Sequence, residues 1–583
     1  METTTELPKL LASLKLRTDQ QQEADYNLST FVPVLDFGTL AAPNAQIIYG
    51  RNGTGKTHLL KAFCEYVYRN YETQNVLPVY IDCKLLELGT VGPEIEVSQL
   101  ILRYYRLFVA KIVDALQELA SKVLTPTRLE KFLGRGDANR VDRIEGSIAK
   151  LKKIFRYEDI EENVKEYKRK IALTSEDASK SSAGVSIKLS AMEDPKIGAD
   201  VGISAEDARR RVQAVEFIYE GLAVIDYEAV RKELENIIQL CGAKGIVLLV
   251  DEWSAIDLGV QPLFAEIIKK TLAQSDRIHL KIVALKYFTR TSAVVNAPQR
   301  IGFQPGIDIS PVADLDSLLC FDTDGQAVKD FLTVIAYKHC AAISEQVAKT
   351  NLKDFELAMC RELFEGPEAY LEIVRASEGN PRDFLSLLAS CCAVRLTHNK
   401  AVGQRDAVKA AINYFISAKE PTIKSNPKAV VFYKKLFEEV VKNKQKLFLL
   451  TTEKAEANAS ILELLAFRCI HMVNPKYTAL EEGGLPHEYT LFSMDYGKLA
   501  SLKVQRAGEN LVRAMSQAAS ILGTIMGTPS FLTGYISKTF ETLDVGSGLI
   551  NVAGAQIVSK EGVEAGNIDP EILVSKCVYD SLL

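Results

Sequence analysis

The sequence predicts an α/β protein built on a parallel sheet with helices on both faces. Between residues 46 and 310, short apolar runs typical of strands alternate with segments of helical periodicity. Residues 246–250 are apolar throughout, as expected for a strand that is covered on both faces of a parallel sheet. A glycine-rich turn at residues 50–55 joins the first strand to the first helix. Together these features favour a doubly wound core.

Length and composition limit the class of protein. The chain has 583 residues, which at roughly 150 residues per domain predicts two to four domains. Hydrophobic residues make up 47% and charged residues 25%, which excludes a mostly disordered, collagen-like or disulfide-scaffolded chain. The net charge of −5 argues against a protein that coats nucleic acid indiscriminately. The ten cysteines include no Cys-x-x-Cys pair, which indicates a reducing compartment, the cytoplasm. The chain has no run of 18 apolar residues, so we expect no membrane contact.

The elements of the first 320 residues follow from the same patterns. Strands are predicted at Gln46–Tyr49 and at residues 77–82, 246–250, 280–285 and 306–309. Helices are predicted at about 56–72, through much of 91–170, and at 227–240 and 262–273. Residues 174–204, rich in Ser, Gly and Ala, predict either a β-hairpin or a mobile insertion. We therefore expect an α/β core over residues 1–320 that carries this insertion.

Three further segments follow the core. Residues 321–418 are almost wholly helical and predict a helical domain, with breaks at residues 366–367 and 379–381. Two prolines in residues 420–428 indicate a linker. Two helices, a glycine pair and a strand then suit a winged-helix domain at residues 427–505. Residues 506–583 predict the rest of a long helix, about 499–521, and a glycine-rich tail.

The strongest chemical signal is the glycine-rich turn itself. The eight residues Gly50, Arg51, Asn52, Gly53, Thr54, Gly55, Lys56 and Thr57 fit the pattern G-x-x-x-x-G-K-[ST]. Glycines let the main chain wrap with its N–H groups pointing inward, and the next helix directs its positive N-terminus at the same point. We predict that this loop, with His58 after it, binds the phosphates of ATP or ADP. Lys56 would reach the β- and γ-phosphates, and the Thr57 hydroxyl would coordinate Mg²⁺.

An acidic pair, Asp251 and Glu252, directly follows the buried strand at residues 246–250. The carboxyl end of a parallel strand opens onto the ligand crevice of such a sheet. Asp251 is therefore predicted to hold Mg²⁺ through water. Glu252 is predicted to orient and deprotonate an attacking water, because phosphoryl transfer requires positioning more than covalent chemistry. Without the phosphate loop, such a pair would indicate only a solvated turn.

Four basic residues are further candidates. Arg382 opens a helix after Gly379-Asn380-Pro381, and it is predicted either to contact the γ-phosphate or to be a surface arginine. Lys286 follows the strand at residues 280–285 and would either sense the γ-phosphate or cap that strand. Arg290 or Arg300 would act as an arginine finger on a neighbouring subunit of a homo-oligomer, and each is otherwise a surface arginine.

The residues GRNGTGKT, LLVDEW and GNPR, followed by a winged-helix pattern, resemble the AAA+ ATPases. Within that class the chain resembles the origin-recognition-complex-like initiator ATPases, over about residues 30–505. The resemblance implies a P-loop core and a helical lid that close on ATP, with double-stranded DNA engaged by the winged helix. The spacing of about 190 residues between the phosphate loop and the acidic pair is longer than is usual in that family.

Three functions remain open. The first is an ATP-dependent DNA-binding protein of the initiator or loader kind, with slow hydrolysis and a basic face at residues 434, 435, 442, 444 and 446. Residues 427–500 hold ten Lys plus Arg and nine Asp plus Glu, so this segment is nearly neutral, whereas DNA affinity depends on neutralising phosphates. The second is a STAND-like signalling scaffold that oligomerises and recruits a protein partner through its tail. The third is a structural nucleotide-binding subunit, against which Glu252 argues.

Overall fold

The computed structural model describes most of the predicted elements. The described residues are 6–14, 24–86, 97–123, 138–154, 227–296, 299–442, 446–452, 455, 458–480, 486–506 and four short tail strands. The predicted insertion at residues 174–204 and most of residues 506–583 lie outside these ranges. Within them, no helix combines the length and the apolar character needed to cross a bilayer.

A five-stranded parallel sheet forms the centre of the N-terminal region. The strands in chain order are β1 (Gln46–Tyr49), β2 (Val76–Asp82), β3 (Gly245–Asp251), β4 (Ile278–Ala284), a separate hairpin of β5 (Ser292–Asn296) and β6 (Gln299–Gly302), and β7 (Ser310–Asp314). The order across the sheet is β2-β3-β4-β1-β7, and every pairing is parallel. The carboxyl ends of β1 and β3 therefore open onto the same edge, separated by one strand.

Helices cover both faces of this sheet. The helices before the last strand are α1 (Glu6–Ala12), α2 (Ala24–Thr30), α3 (Phe37–Ala41), α4 (Lys56–Arg69), α5 (Tyr71–Gln74), α6 (Val97–Val123), α7 (Ala138–Ile154), α8 (Tyr227–Leu240) and α9 (Gln261–Thr271). Among them, α1 packs against the helices that follow the sheet. Adjacent residues of β1 face opposite ways: Ile47 packs in the cluster with Phe108, and Ile48 packs in the cluster with Phe63. The predicted α/β core with a parallel sheet is confirmed.

The last strand of the sheet begins four residues later than predicted. Residues 304–309 form a tight turn, in which the N–H of Gly306 donates to the carbonyl of Ile309 and Gly306 has a φ of +79°. The strand is instead β7, which lies at the edge of the sheet and starts with exposed Ser310 and Pro311. An edge strand tolerates a proline because one side of it needs no ladder hydrogen bond. Strand β7 therefore lacks the apolar pattern on which the prediction depended.

A helical segment, residues 315–424, follows the sheet and is called here the lid. Its helices are α10 (Leu315–Leu318), α11 (Gly325–Ala341), α12 (Glu345–Ala348), α13 (Leu352–Glu362), α14 (Pro367–Ala376), α15 (Pro381–His398) and α16 (Gln404–Tyr414), then a π-helical turn (Phe415–Lys419) and α17 (Glu420–Lys424). Pro367 and Pro381 each start a helix, where a missing N–H costs nothing. The linker predicted at residues 420–428 is wrong for the same reason, because Pro421 and Pro427 also lie at helix starts.

The C-terminal elements form an α/β unit, residues 427–506, called here the winged-helix-like unit. It consists of α18 (Pro427–Lys442), β8 (Leu447–Thr451), α19 (Ala459–Ala466), β9 (Ile470–Leu480), β10 (Pro486–Met494) and α20 (Tyr496–Arg506). Strands β8, β10 and β9 pair antiparallel in that order, and short tail strands at Ile536–Ser537 and Leu573–Val574 extend the sheet. Two other short strands, Leu543–Val545 and Gly548–Ile550, pair with each other.

The winged-helix-like unit shares its apolar core with the lid. Val473 and Tyr489 of its sheet lie in the same buried cluster as Phe384 and Leu388 of α15. A second cluster, mostly from the unit, joins Phe415 of the π-helical turn to Phe432 of α18. The unit is therefore packed against the lid. This packing brings side chains of the unit close to the loop that follows β1.

Candidate nucleotide-binding site

The glycine-rich loop lies between β1 and α4 and adopts a conformation that requires glycine. Gly53 and Gly55 have φ values of +92° and +93°, a region that side-chain-bearing residues rarely enter. The Lys56 side chain is buried, and its Nζ donates to the carbonyls of Gly50 at 2.7 Å and of Arg51 at 2.9 Å. Burial lowers the pKa of Lys56, while the nearby carboxylates of Glu252, Asp316 and Asp251 act in the opposite direction.

A cavity of about 320 Å³ opens over this loop, which is the size range of small-molecule sites. Its floor is made by residues 52–57 and by Asp251 and Glu252. Helix α15 contributes Pro381, Arg382 and Leu385 to its wall. The structure therefore brings together, around one cavity, the predicted loop residues Asn52, Gly53, Thr54, Gly55, Lys56, Thr57 and His58 with Asp251, Glu252 and Arg382.

Asp251 lies at the end of β3 with 1% of its surface exposed. Its carboxylate accepts hydrogen bonds from the Tyr80 hydroxyl and from the N–H of Glu252, both at 2.8 Å. Burial raises the pKa of Asp251, and the nearby hydroxyls of Thr57 and Tyr80 oppose that shift. The Thr57 hydroxyl and the Asp251 carboxylate line the same cavity, and both are hard oxygen donors, the ligands that Mg²⁺ prefers. The two residues predicted to bind Mg²⁺ therefore fit the ion.

Glu252 adopts the left-handed backbone conformation, with a φ of +52°. For a non-glycine residue this conformation costs about 1–2 kcal/mol, and such strain is concentrated at functional sites. The conformation places the Glu252 carboxylate 2.7 Å from Nζ of Lys84. Lys84 follows β2, lines the same cavity and was not predicted from the sequence.

The lid contacts the glycine-rich loop directly. Nδ2 of Asn380 donates to the carbonyl of Asn52 at 2.8 Å, and the N–H of Arg382 donates to the carbonyl of Gly53 at 3.3 Å. A Cβ added at Gly53 would lie 2.5 Å from Oδ1 of Asn380 and 2.9 Å from Cβ of Arg382. The start of α15 is therefore seated on the loop, and Arg382 lies on the cavity side of that contact.

The other end of the cavity is apolar and aromatic. Phe31, Phe331 and Ile335 line it, together with His58 and His339. Nε2 of His58 donates to the carbonyl of Asn27 at 2.7 Å, and a hydrogen bond of 2.9 Å joins Nδ1 of His339 to the Tyr26 hydroxyl. Burial lowers the pKa of His58 to about 4 and that of His339 to about 3, so both rings are neutral at pH 7. This end offers flat, uncharged surfaces of the kind that a nucleobase stacks on.

Three of the predicted nucleotide-binding residues, Gly50, Arg51 and Lys286, line a second cavity instead. Arg51 does not line the cavity: its N–H and its Nε both donate to the Asp316 carboxylate at 2.8 Å. Lys286 pairs with Asp314 at 3.1 Å and lies with Arg51 at a second, small cavity behind the loop. Lys286 is thus separated from Lys56. Arg290 and Arg300 are exposed, and the arginine-finger prediction stays open.

Several cavity residues were missed because they come from distant parts of the chain. The aromatic end combines residues before β1 with residues of α11, and no local pattern connects them. Lys84 could have been found by the rule that identified Asp251, because it also follows a strand of the parallel sheet. Arg468, between α19 and β9, lines the cavity as well, and nothing in the sequence indicates it.

Residues 17–196 match the model of the ORC-CDC6-like family. No curated protein matches the sequence. Structural similarity is recorded to an Aeropyrum pernix ORC1 protein in complex with DNA, at 11% identity and a TM-score of 0.28, covering 82% of this chain and 94% of that one.

Two further solved structures are similar to this chain. Drosophila ORC bound to DNA matches at 12% identity and a TM-score of 0.27, covering 84% of this chain and 94% of that one. The Aeropyrum pernix ORC2 protein, described as ADPNP-ADP complexes, matches at 11% identity and a TM-score of 0.32, covering 86% and 99%. The parallel sheet and the glycine-rich loop described above define a P-loop core independently of these matches. The chain resembles the ORC-type AAA+ ATPases, with the sequence match falling on residues 17–196.

Proposed function

We propose that this chain binds ATP with Mg²⁺ and hydrolyses it slowly, as a nucleotide-dependent switch resembling the initiator ATPases. The observation that supports the proposal is that Thr57, Asp251 and buried Lys56 line one cavity over the glycine-rich loop. One hydroxyl, one carboxylate and one ammonium are the set of groups that a nucleoside triphosphate with its metal requires.

Each residue of the cavity has a proposed role. Main-chain N–H groups of residues 52–57 and the N-terminus of α4 bind the phosphates, and Lys56 exchanges its carbonyl partners for phosphate oxygens. Thr57 and Asp251 hold Mg²⁺, which when bound neutralises charge on the phosphates. Glu252 orients and deprotonates the attacking water. Arg382 contacts the terminal phosphate from the lid, where a guanidinium makes forked contacts with phosphate oxygens.

Nucleotide binding is tested by the variant Lys56→Ala, with Lys409→Ala on the exposed face of α16 as the matched control. Titration of both purified variants with fluorescent ATP should show loss of binding in the first and wild-type affinity in the second. Tight ATP binding by Lys56→Ala, in a protein that unfolds like the wild type, would remove the proposed site.

We propose double-stranded DNA as the partner of the winged-helix-like unit. The element order of this unit supports DNA binding, but its basic side chains differ in exposure. Lys434 is exposed on α18, whereas Lys446 is buried against Asp322 at 2.8 Å and Glu378 at 3.4 Å and is unavailable to DNA. Binding to duplex DNA across a salt series, with ATP, ADP or no nucleotide, tests this. Each phosphate contact should steepen the log–log salt slope by about 0.9.

The alternative is a nucleotide-gated signalling scaffold that forms a homo-oligomer and recruits a protein partner through residues 506–583. The shared core of lid and winged-helix-like unit favours it, because a unit packed in this way is held by the lid and not displayed on a free linker. Sedimentation of the protein with ATP but without DNA separates the two proposals. ATP-driven assembly without DNA binding at any salt concentration would favour the scaffold.

A further inference from the structure

One cationic side chain of the candidate site comes from neither the core nor the lid. Arg468 lies at the junction of α19 and β9 in the winged-helix-like unit, and it lines the cavity with Lys56 and Arg382. Its φ is +60°, and the N–H groups of Arg468 and Cys469 donate to the carbonyls of Leu465 and Leu464 at 3.0 and 2.9 Å. This is the left-handed turn that ends a helix, so the backbone at Arg468 is fixed.

The ion-pair partner of Arg468 is Asp383. Asp383 is fully buried and accepts a second hydrogen bond from the Tyr414 hydroxyl at 2.8 Å. Nζ of Lys419 lies 3.0 Å from the same carboxylate. If Arg468 turns towards a ligand, Asp383 therefore keeps a cation and a hydroxyl, and no buried carboxylate is left unpaired. Exchange of Asp383 for another anion therefore avoids the cost of an unpaired buried charge.

The same ion pair belongs to a charge network that returns to the glycine-rich loop. Lys419 contacts Asp495 at 2.6 Å, and Asp495 lies 3.2 Å from Nε2 of His471. The other ring nitrogen of His471 is hydrogen-bonded to the guanidinium of Arg51. The winged-helix-like unit is therefore connected to the candidate site at two points: through Arg51 behind the loop, and through Arg468 in the cavity.

We propose that Arg468 is a phosphate-binding residue contributed by the winged-helix-like unit of the same chain. A nucleotide phosphate replaces Asp383 as the partner of its guanidinium, so that the occupied site holds the β9 end of the unit against the core. An arginine suits this exchange, because carboxylate and phosphate both accept its forked N–H groups. The inference rests on the proposed function, since it names a further residue of the same nucleotide site.

The test compares Arg468→Ala and Arg468→Lys with Arg361→Ala, an exposed arginine of α13. Isothermal titration should give affinities for AMP, ADP and ATP. Arg468→Ala is expected to bind ATP about 10- to 100-fold more weakly than the wild type, which is the effect of losing a charge-assisted hydrogen bond. Its affinity for AMP should change little. Arg468→Lys should recover part of this loss, and Arg361→Ala should match the wild type.

A structural role gives a different result. If Arg468 only supports the lid, Arg468→Ala lowers the affinity for all three nucleotides equally, and that outcome overturns the proposal, as does unchanged affinity for each. Hydrogen exchange supplies a second readout: ATP should slow exchange in residues 459–480 of the wild type but not of Arg468→Ala. Loss of binding in Lys56→Ala with no effect in Arg468→Ala would reject this inference alone, whereas retained binding in Lys56→Ala would reject the site itself.

Discussion

Asn380 of the lid donates a side-chain hydrogen bond to the main-chain carbonyl of Asn52 in the glycine-rich loop, at 2.8 Å. The Oδ1 of the same side chain accepts from the N–H groups of Arg382 and Asp383, and so caps helix α15. One amide therefore joins the loop to the start of the lid helix. A shift of the loop on nucleotide binding would be transmitted directly to α15.

The first prediction concerns this amide. Asn380→Ala removes the helix cap and the bond to the loop, so both unfolding free energy and ATP affinity should fall, the former by about 1–2 kcal/mol. Asn351→Ala is the matched control. The Asn351 side chain also caps a helix, α13, but its hydrogen bonds go to Asp354 and not to the loop. Asn351→Ala should lower stability by a smaller amount, because it removes only a cap, and it should leave ATP affinity unchanged. Equal ATP affinities of the two variants would show that the Asn380 contact does not matter for binding.

The second prediction separates backbone strain from lid contact at two glycines. Gly53→Ala and Gly55→Ala both place a side chain at φ near +90°, which costs about 1 kcal/mol in each. Only at position 53 would the new Cβ meet the lid, at 2.5 Å from Oδ1 of Asn380, whereas nothing lies within 4 Å of it at position 55. Denaturation without nucleotide should therefore show a larger loss for Gly53→Ala. A larger loss for Gly55→Ala would contradict the seating of α15 on the loop.

The third prediction concerns acid stability. Burial lowers the pKa of His339 to about 3, against about 6.5 in an unfolded chain. Between these two pKa values the unfolded state binds a proton that the folded state does not bind. The stability present above pH 6.5 is therefore lost as the pH falls towards 3. His339→Gln should reduce the slope of unfolding free energy between pH 6 and 4.5 by about 1 kcal/mol per pH unit. Urea denaturation of the wild type and His339→Gln across this pH range measures the two slopes, and equal slopes would contradict the burial of a neutral His339.

The fourth prediction concerns two lysines of the winged-helix-like unit. Lys446→Ala leaves Asp322 and Glu378 without their buried cation, and it should lower the unfolding free energy by about 3–5 kcal/mol. Lys434→Ala, at an exposed position, should change it by less than about 0.5 kcal/mol. Urea denaturation followed by circular dichroism measures both. Similar, small effects would mean that Lys446 is not held in the pair described.

The sequence allowed the core to be predicted because local signals are strong there. The helix 227–240 and the strand Gln46–Tyr49 were predicted with the bounds that the structure has, since their periodicity and glycine boundaries are clear. The edge strand β7 was placed at residues 306–309, because its residues 310–314 are partly exposed and carry no apolar pattern. The hairpin of β5 and β6 was not predicted at all.

The site was predicted only where its residues follow one another along the chain. The glycine-rich loop and the pair Asp251–Glu252 carry their chemistry in adjacent positions, so a motif can identify them. Arg468, by contrast, reaches the cavity through the packing of a unit more than 400 residues along the chain. Lys446 looked like part of a basic surface because a lysine buried by two carboxylates has the same sequence pattern as an exposed one.

The measurement that tests the central claim most directly is single-turnover and steady-state ATP hydrolysis by Glu252→Gln. Glu368→Gln, an exposed position in α14, is the control. The proposed mechanism predicts that Glu252→Gln binds ATP as the wild type does and loses at least about 100-fold in hydrolysis, as expected for removal of a general base. Wild-type hydrolysis by Glu252→Gln, with Glu368→Gln unchanged, would contradict the assignment of this cavity as an ATPase site.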